Sequence, residues 1–209
     1  MSSIRGRIVG GLLGLMAFVV GQYALVYYFQ ANSREEVEQA IGRNYAAGTM
    51  LSELAITGQA IRRYEKEYFI YHDDAEGRKK YTKEWSDTYQ KLQTQLAAME
   101  ANRDKVFSKE DLAAFSSWAG DLVIYGAEMR KIMEAVEREG VQAAPGANPT
   151  REVNGLIKMG KDRFANLLNG AVKMEARKAK EAAESSQRVR ENFDQLSRLL
   201  LGTVIAGVA

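Results

Sequence analysis

The sequence contains no cysteine, one histidine and two prolines, and these scarcities exclude several classes of protein. Without cysteine the chain has no disulfide, no thiol nucleophile, no c-type haem attachment and no site for an iron–sulfur cluster. One histidine cannot supply the two Glu-x-x-His motifs of a di-iron bundle. A phosphate-binding loop and a Gly-x-Ser-x-Gly elbow are also missing. We therefore predict no catalytic residue, no metal, no cofactor and no enzymatic activity.

Surplus charge is scarce as well. The chain has 29 basic and 27 acidic residues, and Arg5 and Arg7 account for the net charge of +2. A nucleic-acid-binding surface needs clustered positive charge, so we expect no nucleic acid partner. The two arginines instead precede an apolar segment, and the positive-inside rule then predicts a cytoplasmic N-terminus for residues 1–7.

Residues 8–29 contain no charged side chain. A helix of this length spans about 33 Å, enough to cross a hydrocarbon layer of about 30 Å. The alternative is a cleaved signal peptide, but such peptides have apolar cores of about 7–15 residues and a small residue before the cleavage site, where Phe29 lies here. We favour a retained transmembrane helix, with the aromatic residues 27–29 at the outer interface.

Residues 199–209 form a second uncharged run. A helix of this length is about 16 Å long, roughly half of a membrane span, and the chain stops within the run. We expect residues 199–209 to begin a second transmembrane helix that is truncated here. Residues 30–198 would then form one domain outside the cytoplasm.

Between the two runs the sequence is typical of helices. It is rich in Ala, Glu, Lys, Gln and Arg, and both prolines lie in one loop at residues 143–150. Apolar residues recur at steps of three and four, which predicts helices at about residues 31–72, 75–103, 109–142 and 151–198. The predicted fold is all-α, an antiparallel up-down-up-down four-helix bundle between two transmembrane helices.

Apolar stripes define the predicted core of this bundle. The stripe of the second helix is Tyr81, Trp85, Tyr89, Leu92, Leu96 and Met99. The stripe of the third helix is Leu112, Phe115, Ala119, Leu122, Gly126, Met129, Met133, Val136 and Gly140. The stripe of the fourth helix includes Ile157, Gly160, Phe164, Leu167, Ala171, Met174, Lys178 and Ala182.

Two short motifs predict where helices begin. Ser108 and Asp111 have the spacing of a capping box at the start of the third helix. Asp73 and Asp74, directly after His72, predict a turn with an acidic cap on the second helix. His72, Asp73 and Asp74 could also be interpreted as a metal site, but a polar turn is the favoured interpretation.

The first outer helix places one charged residue on its apolar face. Its stripe is Ile41, Tyr45, Gly48, Leu51, Leu54, Gly58 and Ile61, and the same steps bring Glu65 onto or beside the buried face. A buried carboxylate needs a partner. Arg62 is the local candidate, and Lys158 and Lys161 of the fourth helix lie at a similar height in the predicted bundle.

Two interpretations of this charged segment stay open. One is a buried salt-bridge layer that fixes the register of the helices. The other is a basic cluster that binds a small anionic ligand through arginine side chains. The candidate ligand-binding residues are Arg62, Arg63, Glu65, Lys66, Lys158 and Lys161.

The segment 62–69, Arg-Arg-Tyr-Glu-Lys-Glu-Tyr-Phe, resembles the sensor region of bacterial methyl-accepting chemotaxis proteins with a four-helix-bundle ligand-binding domain. The resemblance implies a homodimeric receptor of the bacterial inner membrane with its bundle in the periplasm. It implies a small-molecule ligand, such as an organic acid or amino acid, or a periplasmic binding protein. It also implies that ligand shifts the fourth helix and so signals to a cytoplasmic region absent from this sequence. Some members bind carboxylates with arginines of the first helix, a part that Arg62 and Arg63 could play.

Two alternatives share this architecture. Similar bundles occur on membrane histidine kinases and cyclic-nucleotide enzymes, which differ in their cytoplasmic parts. A two-span structural or interaction protein would also show the same helices. The sequence on the cytoplasmic side of the second span would discriminate between them.

Overall fold

The computed structural model describes residues 4–102, 106–140 and 148–208, and within these residues the chain is helical and contains no strand. The prediction of an all-α protein is therefore confirmed. The helices are α1 (Ile4–Ile70), α2 (Ala75–Ala101), α3 (Lys109–Glu139), α4 (Pro149–Leu156) and α5 (Lys158–Val208). The predicted ends of the second and third helices, at residues 103 and 142, lie outside the described residues.

The chain divides into two compact units. The smaller unit comprises Met1–Gly42 and Lys180–Ala209. It contains Ile8–Tyr28, whose 21 residues have a mean hydropathy of 1.9 and are long and apolar enough to cross a membrane. The side chains of this segment are exposed, which is unfavourable for an apolar helix in water.

The larger unit, Arg43–Ala179, has one apolar core to which α1, α2, α3 and α5 contribute. The stripe predicted for α2 is confirmed, because five of its six residues are buried: Trp85, Tyr89, Leu92, Leu96 and Met99. The stripe predicted for α3 is confirmed at most positions but is wrong at Ala119 and Gly140, which are exposed. Trp118 is buried instead.

Both predicted helix starts are confirmed. Ser108 accepts the N–H of Asp111 at 3.4 Å, and Asp111 Oδ2 accepts the N–H of Ser108 at 2.8 Å, which completes a capping box. Asp74 caps α2 by accepting the N–H of Glu76 at 3.1 Å. These side chains satisfy backbone N–H groups that a helix leaves unpaired at its N-terminus.

The prediction of a single last helix at residues 151–198 is wrong. α4 ends at Leu156, Ile157 lies between the helices, and α5 begins at Lys158. Gly155 weakens the helix at this point because glycine loses more backbone entropy than other residues on entering a helix. α1 runs without interruption from the apolar segment into the first outer helix, and it ends at Ile70 rather than at the predicted residue 72.

Candidate ligand-binding site around Glu65

Glu65 is buried, as the spacing of the α1 stripe predicted. Its exposed fraction is 0%. The core around it is mostly apolar, so the carboxylate needs polar partners. Arg62, one turn earlier in α1, approaches both carboxylate oxygens with Nη1 at 2.8 and 2.7 Å. Lys161 of α5 places Nζ 3.3 Å from Oε1. The predicted partners Arg62 and Lys161 therefore both contact this carboxylate.

Two aromatic side chains complete the surroundings of Glu65. Tyr125 of α3 donates its hydroxyl to Oε2 at 2.7 Å, and Trp85 of α2 donates Nε1 to the Tyr125 hydroxyl at 3.2 Å. The Tyr125 ring also stacks on Phe164 of α5, with centroids 4.4 Å apart. One buried carboxylate is thus connected to α1, α2, α3 and α5. Sequence reasoning missed Tyr125, because the α3 stripe was followed through its neighbours at 122 and 126.

Lys161 has more contacts than the ion pair alone. Its Nζ donates to the backbone carbonyl of Asn154 at 2.9 Å and to the Asn154 side-chain oxygen. It also lies over the ring of Phe69, 5.3 Å from the centroid. Burial lowers the pKa of Lys161, and the nearby positive charges of Arg62 and Lys66 act in the same direction, against the opposing effect of Glu65.

The six candidate residues fall into two groups. Arg62, Glu65 and Lys161 form one ion cluster, in which the Arg62 side chain is 25% exposed and that of Lys161 14%. Arg63, Lys66 and Lys158 are exposed and form no ion pair or hydrogen bond with these three residues. Burial is the main reason that the pKa of Lys161 is lowered, and the positive charge of Lys66 adds a smaller effect in the same direction. Arg63 lies two residues before Glu65 and therefore on the opposite side of α1, which leaves Lys66 and Lys158 as the exposed cations that a small anion could meet near the cluster.

Sequence reasoning missed a second buried ion cluster. Asp111, fully buried at the start of α3, lies 3.1 Å from Nζ of Lys178 and also pairs with Arg177 of α5. Burial opposes ionisation of Asp111, but the Ser108 N–H, Lys178 and Arg177 together lower its pKa below 3.8. The signal was present, because Lys178 lies in the predicted apolar stripe of the last helix and a buried cation needs an acidic partner.

Further polar contacts also join α3 to α5. Asp121 pairs with Arg163 at 3.3 Å, and the Glu128 carboxylate accepts the N–H of Gly160 at 2.7 Å. Including Asp111, three acidic residues of α3 bind α5. The larger unit therefore holds its last helix through charged contacts as well as through apolar packing.

The turn at residues 71–74 shows no sign of the alternative metal site. Asp74 is used as the cap of α2. Within the described part of the chain, no group of three or more His, Cys, Asp or Glu side chains is placed to hold a metal ion.

Comparisons with known proteins find no match to this chain among protein-family models, curated proteins or solved structures.

Proposed function

We propose that this chain is the membrane-anchored sensor part of a methyl-accepting chemotaxis receptor, without catalytic activity, and that it binds a small anion beside Glu65. The observation that carries the proposal is the ion cluster in which Lys161 of α5 contacts Glu65 of α1. A ligand that binds there acts on the first and last helices at once. These are also the helices that contain Ile8–Tyr28 and the apolar residues from 199 onwards.

The charge of the cluster favours an anionic ligand. Glu65 neutralises one of the two cations that contact it, so the pair Arg62 and Lys161 keeps an excess of positive charge. The exposed residues Lys66 and Lys158 add to that excess. Arginine and lysine bind carboxylates through charge-assisted hydrogen bonds. An organic acid or an amino acid therefore fits the site better than a cation or an uncharged molecule.

The proposed topology places Arg5 and Arg7 in the cytoplasm and Ile8–Tyr28 across the inner membrane of a bacterium. The larger unit is then an antiparallel four-helix bundle in the periplasm, and α5 returns the chain to the membrane. A ligand shifts such a receptor only through its different affinities for two positions of the helices. A coupling of about 1–3 kcal/mol is typical of such regulation.

One face of α1 supports the proposal of a homodimer. Exposed residues recur there at steps of seven, at Thr49, Ile56, Arg63 and Ile70. Ile56 is 67% exposed and Ile70 56%, and Tyr45 nearby is 69% exposed. A step of seven keeps residues on one side of a helix, as in the seam of a coiled coil. A second copy packed along α1 would cover these apolar side chains.

A two-span structural or interaction protein is the second candidate. It is favoured by one observation, that Arg62, Lys161 and Tyr125 already supply Glu65 with partners from the same chain. Such a cluster needs no ligand and would fix the register of the helices. A sensor region of a histidine kinase or cyclic-nucleotide enzyme would bind ligand as the chemoreceptor does and differ only in its output.

Thermal unfolding of the purified full chain with a panel of organic acids, amino acids and amines tests the proposal. A ligand that binds only the folded state raises the melting temperature. At a ligand concentration of about a hundred times Kd, the free energy of unfolding rises by about 2.7 kcal/mol. We expect a shift with a carboxylate and none with an amine that lacks a carboxylate. If no compound shifts the melting temperature and no periplasmic binding protein associates, the structural alternative replaces the sensor.

A further inference from the structure

The break between α4 and α5 frees backbone groups that an uninterrupted helix would pair. In a continuous helix the carbonyl of Asn154 would accept the N–H of Lys158, and the N–H of Gly160 would donate to the carbonyl of Leu156. Here the Asn154 carbonyl accepts Nζ of Lys161 at 2.9 Å instead. The Gly160 N–H donates to Glu128 of α3 at 2.7 Å. The Lys161 side chain thus pairs with the freed carbonyl before the break, and the Glu128 side chain pairs with the freed N–H after it.

These two replacements come from different parts of the larger unit. Lys161 belongs to α5 and also pairs with Glu65 of α1, whereas Glu128 belongs to α3. Gly160 is required for the second contact, because a Cβ at this position would lie 2.7 Å from Oε2 of Glu128. The break is therefore held by tertiary contacts and not by the local sequence alone.

Apart from Ile157, the large apolar side chains at the break are exposed. Leu156, the last residue of α4, is 69% exposed, and Met159 in the first turn of α5 is 62% exposed. Ile157 between them is fully buried. Repositioning α4 would change the exposed apolar surface of Leu156 and Met159 only slightly. The free-energy difference between the broken and the continuous helix therefore depends strongly on the contacts of Lys161 and Glu128.

We propose that the break at Ile157 is a conformational switch, in which Lys161 and Glu128 hold α4 and α5 apart and loss of either contact lets them join as one continuous helix. The regulatory consequence rests on the proposed function. An anion that binds Lys161 withdraws Nζ from Asn154 and favours the continuous helix. Ligand binding beside Glu65 would then change the N-terminal end of α5.

Two substitutions in the full chain test the switch without any ligand. Lys161→Met removes the donor to Asn154, and Glu128→Ala removes the acceptor for Gly160. Gly155→Ala is a control for helix propensity, because Gly155 is already helical in α4 and stays helical if α4 and α5 join. No atom of a neighbouring side chain lies within 4 Å of a Cβ built at Gly155, so alanine fits there. Gly120→Ala in α3 is the second control, because its Cβ also meets open space.

The first measurement is backbone amide exchange of Lys158 and Met159, because the Gly160 amide already donates to Glu128 in wild type. A continuous helix would pair these two amides with the carbonyls of Asn154 and Gly155, so we expect slower exchange in Lys161→Met and Glu128→Ala. Gly155→Ala and Gly120→Ala should leave the exchange of the two amides nearly unchanged. Faster exchange in Lys161→Met and Glu128→Ala would show simple fraying and overturn the switch.

The second measurement is the distance between spin labels at Arg151→Cys and Lys173→Cys, which can be placed specifically because the chain has no cysteine. In a continuous helix the two Cα atoms lie about 33 Å apart. We expect Lys161→Met and Glu128→Ala to increase the population at that distance. An unchanged distance distribution in Glu128→Ala would overturn the proposal even if Lys161→Met fails to fold. Neither measurement depends on ligand, so the switch and the proposed function can fail separately.

Discussion

The hydroxyl of Tyr125 and the carboxylate of Glu65 are both buried and are joined by a hydrogen bond of 2.7 Å. The contact connects α1 to α3, while Lys161 connects the same carboxylate to α5. Such a carboxylate stabilises the fold only as long as its partners remain, because an unpaired buried charge is costly. The first predictions follow from this dependence.

Glu65→Ala is expected to lower the free energy of unfolding by about 3–5 kcal/mol, because Arg62 and Lys161 lose their shared partner inside the protein. Chemical denaturation of the full chain in detergent, followed by circular dichroism, measures the loss. Asp87→Asn is the matched control, since Asp87 forms an exposed pair with Lys83 and its substitution should change the stability much less. Equal effects of the two substitutions would contradict the role given to Glu65.

Tyr125→Phe is expected to cost about 1–3 kcal/mol, because it removes the donor to Glu65 and the acceptor for Trp85 while keeping the ring. The same denaturation experiment measures it. Tyr45→Phe provides the comparison, since Tyr45 is 69% exposed and its substitution should be nearly neutral. If Tyr125→Phe is also neutral, the hydrogen bond contributes nothing to stability.

Acid should weaken the cluster at Asp111. The pKa of Asp111 is lower in the folded state than its ordinary value of 3.8, so its stabilisation is complete above that value and is lost as the pH falls through the folded pKa. Asp111→Asn should therefore lower the melting temperature at neutral pH and flatten its decrease in acid. Asp162→Asn, at an exposed position of α5, serves as the control. Parallel melting curves for wild type and Asp111→Asn across the acid range would refute this prediction.

High pH should destabilise the fold by ionising its buried tyrosines. Burial raises the pKa of Tyr68 from 10.0 to about 12, and it also raises the pKa values of Tyr89 and Tyr125. When the pKa of a tyrosine is higher in the folded state than in the unfolded state, its contribution to stability is complete below the unfolded-state pKa. That contribution is lost as the pH rises through the folded-state pKa. Phenolate absorbance should show these three tyrosines titrating later in the folded chain than in denaturant. Identical folded and unfolded titration curves would exclude this account of the core.

The exposed face of α1 at residues 49, 56, 63 and 70 leads to a prediction about the oligomeric state. Single cysteines at Thr49 and Ile56 should form disulfide-linked dimers on mild oxidation in membranes, because the two residues share one face of the helix. Gln90→Cys on the exposed side of α2 is the control and should stay monomeric. Cross-linking at Gln90 but not at Ile56 would place the interface elsewhere.

The buried position of Glu65 could be predicted from the sequence, because Glu65 continues the regular apolar stripe that marks the buried face of α1. The same reasoning found Arg62 and Lys161, since both follow from helix periodicity and from counting along the chain. It failed at Tyr125, because the buried face of α3 is wider than one stripe. It also missed Asp111, whose local role in the capping box was sufficient to explain its presence.

The helix break at Ile157 could not be predicted from local sequence. Gly155 is a weak signal, because single glycines are tolerated in helices. The decisive contacts come from Glu128, which lies far away in the chain, and from the side chain of Lys161. Tertiary contacts of this kind override local helix propensity.

The most direct test of the sensor proposal is calorimetric titration of the full chain with the carboxylates that raise its melting temperature. We expect saturable binding in wild type. Lys66→Ala and Lys158→Ala should each lose at least about tenfold in affinity, because each removes a charge-assisted contact of about 1.5–3 kcal/mol. Lys91→Ala, on the exposed side of α2, should leave the affinity unchanged. Binding that is equal in all four proteins, or no binding by a folded wild-type chain, would contradict the proposal that the cations beside Glu65 recognise a ligand.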